Sequence, residues 1–163
     1  MLSKANEYQF LTRWRVEAAA AEVYDIIGDP LQFPRWWPSV YLSATQIDTG
    51  DRSGVGRRVR FHTKGWLPYT LHWDSETVEA SRPHLITIRA QRDFDGRGVW
   101  RFGQDGKFVD IGFDWKLRAD KPLLRYLSFL LKPVFSANHR WAMARGLEGL
   151  KLELVQRRRI CPI

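Results

Sequence analysis

The sequence predicts an α+β fold in which a curved antiparallel sheet of about seven strands wraps a long C-terminal helix, with two short helices after the first strand. Three observations carry this reading. Apolar residues alternate with a period of two between about residues 39 and 117, they recur at helical spacing from about residue 123, and Gly or Pro punctuates the junctions. With 163 residues, 44% hydrophobic and 27% charged, the chain is long enough for a sizeable core and too apolar for intrinsic disorder. No internal repeat or linker-like run divides it, so one domain over 1–163 is expected, with 157–163 a flexible basic tail.

Residues 8–16 read as the first strand, with Phe10, Thr12, Trp14 and Val16 on one face. A helix over about 19–27 follows, carrying Val23, Ile26 and Ile27 at helical spacing and stopping at Gly28-Asp29-Pro30. A second helical turn over 31–36 is closed by Pro38. Strand alternation then runs through Val59, Phe61 and Thr63, through Tyr69, Leu71 and Trp73, through Ile86, Ile88 and Ala90, and through Trp100 and Phe102. It is cleanest where Val109, Ile111, Phe113, Trp115 and Leu117 oppose Asp110, Gly112, Asp114 and Lys116. Turns are expected at 48–56, at Gly65, at 81–83, and at the hairpin signals Asp95-Gly96 and Asp105-Gly106. These punctuate a meander of about six strands after the opening one.

From about Leu123 the spacing is helical. Leu123, Leu127, Leu130, Leu131 and Val134 line one side, and Met143, Leu147, Leu150 and Leu154 continue the stripe, with Pro133 expected to break or kink the segment into a short helix and a long one. Beside the stripe run Asn138, Ala142, Gly146 and Gly149. Glycine costs roughly 1 kcal/mol relative to alanine inside a helix, so its use here calls for a packing or site reason. If these small residues face the sheet, the helix underfills the space that Tyr69, Trp73, Trp100, Phe113 and Trp115 surround, and a lined cavity results. Alternatively they let helix and sheet approach closely.

Taken in order, several segments resemble a known superfamily, the START-like helix-grip domains, in their polyketide cyclase/dehydrase (SRPBCC) branch. These are Asp29-Pro30 followed by Phe33-Pro34-Arg35-Trp36-Trp37-Pro38, then Gly65-Trp66-Leu67-Pro68-Tyr69, the Gly96-Arg97-Gly98-Val99-Trp100 turn, Asp114-Trp115, and Asn138-His139-Arg140-Trp141-Ala142-Met143. The resemblance spans Phe10 to Val155. It implies a seven-stranded sheet around a long C-terminal helix, with a deep pocket for an apolar or aromatic molecule. It does not imply one chemistry, because carriers, cyclases and hydrolases share this fold.

Charge and cysteine content bound the partners. The formal charge of +8 admits acidic ligands, transient contact with a membrane surface, or nucleic acid, but the basic residues are scattered and alternate with acids, as on a wetted face, so no nucleic-acid partner is expected. The lone Cys161 and the lack of an apolar leader in the first twenty residues point to a cytoplasmic protein. His62, His72, His84 and His139 show no metal-ligand spacing, no nucleophile elbow is present, and Gly54, Gly56, Gly96 and Gly98 lack the strand-to-helix setting of a phosphate cradle. No metal and no cofactor are therefore expected, and the oligomeric state is left open.

His139 and Asn138 are the best polar candidates, the first as an acid or base near neutral pH and the second to fix a carbonyl or hydroxyl, unless either bonds to a loop or faces solvent. Tyr69 is the third catalytic candidate. Trp36, Trp37, Tyr69, Trp73, Trp100, Phe113, Trp115, Asn138, Ala142 and Gly146 are the expected ligand-binding set. Two adjacent tryptophans cannot both face one core from one helical turn, so at least one of Trp36 and Trp37 is expected at a rim. Arg89 and Arg101 would bind an acidic head group if either pointed inward. The two functional classes are thus a carrier of a hydrophobic molecule and a polyketide cyclase/dehydrase using acid/base groups in the pocket.

Overall fold

The computed structural model describes residues 7–118 and 122–161, and in the last helix side chains from residue 132 onward. Leu123, Leu127, Leu130 and Leu131 of the expected stripe lie outside the described side chains. Strand β1 (Glu7–Glu17) leads into α1 (Ala20–Ile27), a 3-10 turn (Pro30–Gln32) and the one-turn helix α2 (Phe33–Trp36). Then come β2 (Tyr41–Asp48), β3 (Arg58–Lys64), β4 (Thr70–Ser81), β5 (Leu85–Arg92), β6 (Asp95–Asp105), β7 (Phe108–Arg118) and the helix α3 (Pro122–Ile160). All strand pairs are antiparallel, in the spatial order β1-β7-β6-β5-β4-β3-β2. The first two strands in sequence are therefore the two edges of the sheet, and the α1–α2 segment carries the chain from one edge to the other.

The helix α1 begins in Ala18-Ala19-Ala20, where no side chain can cap it. Gln104 of β6 supplies the missing acceptor: the Ala20 N–H donates to its Oε1 at 2.7 Å, while its Nε2 donates to the Ala18, Gly106 and Phe108 carbonyls. At the hairpin between β6 and β7, Asp105 pairs with Phe108 and Gly106 takes a φ of 58°, a conformation glycine adopts freely.

The other Asp-Gly pair does not turn. Asp95 and Gly96 open β6 opposite Arg118 and Leu117, and the chain reverses one step earlier, at 93–94. Burial decides this: Phe94 packs between Trp73 and Trp115 in the core, and Asp93 accepts the His72 N–H at 2.8 Å. The stretch from Gly96 to Trp100 is accordingly strand, not turn.

The C-terminal region forms one 39-residue helix with Pro133 inside it, rather than a short helix and a long one. Arg157-Arg158-Arg159 forms the last turn of this helix. Arg157 Nε donates to Glu153 at 2.8 Å, Arg35 of α2 donates to the same carboxylate at 2.9 Å, and Arg158 donates to Glu22 and to the Glu17 carbonyl. Glu153 is 3% exposed. Burial alone would raise its pKa, but the hydrogen bonds from Arg157 and Arg35 hold it below the usual carboxylate range. Among the described residues no helix is long and apolar enough to cross a membrane.

Candidate functional site

A cavity of about 270 Å³ lies between the concave face of the sheet and α3. It follows β3 from Arg57, just before the strand, to Gly65, just after it, a reach on the order of 25 Å at strand rise. Its floor is a ladder of rings. Trp73 on β4 lies 5.8 Å from Trp115 on β7, Trp115 stacks on Phe113 at 5.6 Å, and Phe113 stacks on Trp100 of β6 at 4.0 Å. Gly98 makes room for that ladder: a Cβ there would meet Phe113 and Trp115 ring carbons at 2.9 Å.

On the helix side the wall is His139, Ala142 and Met143, with Asn138 at one end. The His139 ring stacks on Phe10 at 4.4 Å, and its Nε2 shares a hydrogen bond with the Thr12 hydroxyl at 3.4 Å. Burial pushes its pKa down to about 4, so the imidazole is neutral at pH 7. Asn138 has a different task. Its Oδ1 accepts the Trp66 N–H at 3.0 Å and so ties the 65–69 loop to the helix; a Cβ at Gly65 would collide with that carboxamide.

The expected ligand-binding residues separate into two groups. Trp37, Tyr69, Trp73, Trp100, Phe113, Trp115, Asn138 and Ala142 meet on the cavity wall, as does the catalytic candidate His139. Trp36 and Gly146 do not. Neither tryptophan is at a rim, for Trp36 is 5% and Trp37 3% exposed. They stack on each other at 5.5 Å, which lets one ring face the cavity and the other the packing under α3. Trp37 Nε1 donates to the Ala142 carbonyl at 3.0 Å. Gly146 lies against Trp37, where a Cβ would meet ring carbons at 2.5–2.9 Å, and Gly149 lies against the Trp36 carbonyl. Both alternatives for the small-residue stripe thus apply at different positions: Ala142 borders the void, and the two glycines permit close approach. Tyr69 precedes β4 rather than alternating within it and is 40% exposed.

Tyr41, Thr63, Phe94 and Arg57 are among the wall residues that the expected site set did not include. Tyr41 sits in β2, which shows no clean alternation, and Phe94 sits in a turn of unexpected register. Burial raises the Tyr41 phenol above its usual range, and burial likewise raises Tyr24 and Tyr69. Thr63, which did stand on the inward face of its strand in the sequence, accepts the Trp73 Nε1–H at 3.2 Å. A neutral imidazole and several protonated phenols in an apolar, ring-lined chamber can orient carbonyl and hydroxyl groups and exclude water. His62 and His72 stack at 4.2 Å away from this wall, and no described group of His, Cys, Asp and Glu is placed to hold a metal.

This architecture is matched along nearly the whole sequence, from residue 10 to 155, by the polyketide cyclase/dehydrase and lipid transport proteins. The chain belongs to that family. Among solved structures, this family member is similar to the Zhui aromatase/cyclase from Streptomyces sp. R1128, with 17% identity, a TM-score of 0.72, and coverage of 93% of this chain and 95% of that one. It is also similar to norcoclaurine synthase from Thalictrum flavum, solved with dopamine and hydroxybenzaldehyde, at 16% identity, TM-score 0.63, and 90% and 87% coverage. Major latex-like protein 151 from Panax ginseng matches at 13% identity and TM-score 0.60 over 83% of this chain and 98% of that one. At these identities the likeness establishes the helix-grip fold alone. No curated protein matches the sequence.

Proposed function

We propose that this family member binds a hydrophobic or aromatic small molecule, lipid-like or polyketide-like, between the sheet and α3. One observation carries the reading: the cavity floor is a continuous run of rings, Trp73, Trp115, Phe113 and Trp100, with space left above it. Burying a ligand against such a floor recovers about 25 cal/mol for each Å² of apolar surface taken from water. Native mass spectrometry of the purified protein tests it, with titration of the neutral fluorescent probe N-phenyl-1-naphthylamine alongside. A bound hydrophobic species, or saturable micromolar probe binding that Trp115→Ala weakens, is the expected result. Neither signal from folded protein would remove the reading.

The second reading, a polyketide cyclase/dehydrase, draws on His139 and Tyr41 in the wall. With its pKa near 4, His139 serves at neutral pH as a hydrogen-bond partner that orients a carbonyl or hydroxyl. A neutral phenol at Tyr41 supplies an O–H donor for a developing enolate oxygen. The cavity then acts chiefly by holding a reactive chain folded, which is the contribution of proximity.

A further inference from the structure

One half-buried wall residue is out of keeping with the apolar chamber. Arg57 has a side chain 20% exposed and lines the cavity together with Gly28 and Pro30, at the end of α1 and the start of the 3-10 turn. The ion pair it makes is long: Nη2 donates to Asp29 Oδ1 at 3.4 Å. Asp29 is itself 39% exposed. The Arg57 Nε is fully buried and donates to nothing. A guanidinium offers five N–H donors in a rigid fork that fits a carboxylate through two parallel hydrogen bonds, so most of this donor capacity is unused. Arg89 and Arg101, which the sequence left undecided between inside and outside, are both exposed and take no part. Lys64, the cation at the opposite end, is exposed.

We infer that Arg57 reads an oxyanion, so that the ligand is an amphipathic carboxylic acid whose apolar body lies along the ring ladder and whose carboxylate meets the Arg57 fork. The inference rests on the binding function proposed above and adds the ligand's chemical class. Asp29 acts as a placeholder that holds the guanidinium in position and yields part of it to the incoming carboxylate.

The test measures displacement of N-phenyl-1-naphthylamine at pH 8 by decanoate and by 1-decanol, ligands of equal chain length that differ in the charged end. The wild-type protein should prefer decanoate by about tenfold or more, the effect of a charge-assisted hydrogen bond. Arg57→Met should abolish that preference, the decanoate-to-decanol ratio being taken within each protein so that any change in probe affinity cancels. Asp29→Asn, which removes the competing carboxylate, should raise decanoate affinity and leave decanol unchanged, and it serves if Arg57→Met melts early. Equal displacement by both ligands in the wild type, or a preference that survives Arg57→Met, overturns the role of Arg57 while the cavity stands. Failure of the neutral probe to bind wild-type protein overturns both.

Discussion

At His139 the burial that stacks the ring on Phe10 also withholds its proton. In the unfolded chain the imidazole has a pKa of about 6.5, and in the folded protein about 4, so between these values the unfolded state binds more protons. The sign follows directly: this group's contribution to stability is complete above about pH 6.5, falls as pH drops toward 4, and is constant below. The whole effect amounts to roughly 3 kcal/mol at most. His139→Gln should therefore flatten the pH dependence of urea unfolding between pH 6.5 and 4 relative to wild type. Asp74, held low by its hydrogen bond to Arg60, titrates below that window and is common to both proteins. Equal slopes for the two proteins would show that the ring is solvated. His139 was identifiable as a cavity residue from its helix position, but its state was not, because desolvation depends on Phe10 and Thr12, more than 120 positions away.

The elements were readable where periodicity alone fixes them. Strand β7 shows its inward row of Val109, Ile111, Phe113 and Trp115 in the sequence, and the structure buries all four. Local signals failed where a distant partner overrides them: Phe94 drags the β5–β6 turn one step earlier than Asp95-Gly96, and Gln104 caps a helix with no cap of its own. The glycines of α3 are a case where propensity and packing oppose one another. Exchanging glycine for alanine within a helix ordinarily stabilises by up to about 1 kcal/mol. At Gly149, however, a Cβ would run into the Trp36 carbonyl at the end of α2, and a backbone atom cannot swing aside. Gly149→Ala should thus destabilise by about 1–3 kcal/mol in urea denaturation, by overpacking. A gain in stability would mean that α2 and α3 are not in contact there.

For the molecule as a whole, charge and apolar surface are segregated by the sheet. On the outer face Arg89 stands opposite Arg97, and Arg97 opposite Lys116, a row of like charges that opposes pairing and is tolerated because it faces water. On the inner face the rings are not filled in by α3 along its whole length, since Ala142 borders the void while Gly146 and Gly149 bring the helix close. A core with space in it forgoes dispersion contacts that a guest can restore, so stability and occupancy are linked. A neutral probe at a hundred times its dissociation constant should stabilise the fold by about 2.7 kcal/mol. For a chain of this length that raises the melting temperature by about 5–10 °C. Trp73→Ala, which removes a ring from the floor, should cost about 3–5 kcal/mol on its own and reduce the probe-induced shift in calorimetry. A melting temperature indifferent to saturating probe in the wild type would mean that the ligand binds folded and unfolded chains alike, and the ring-lined chamber would then play no part in its capture.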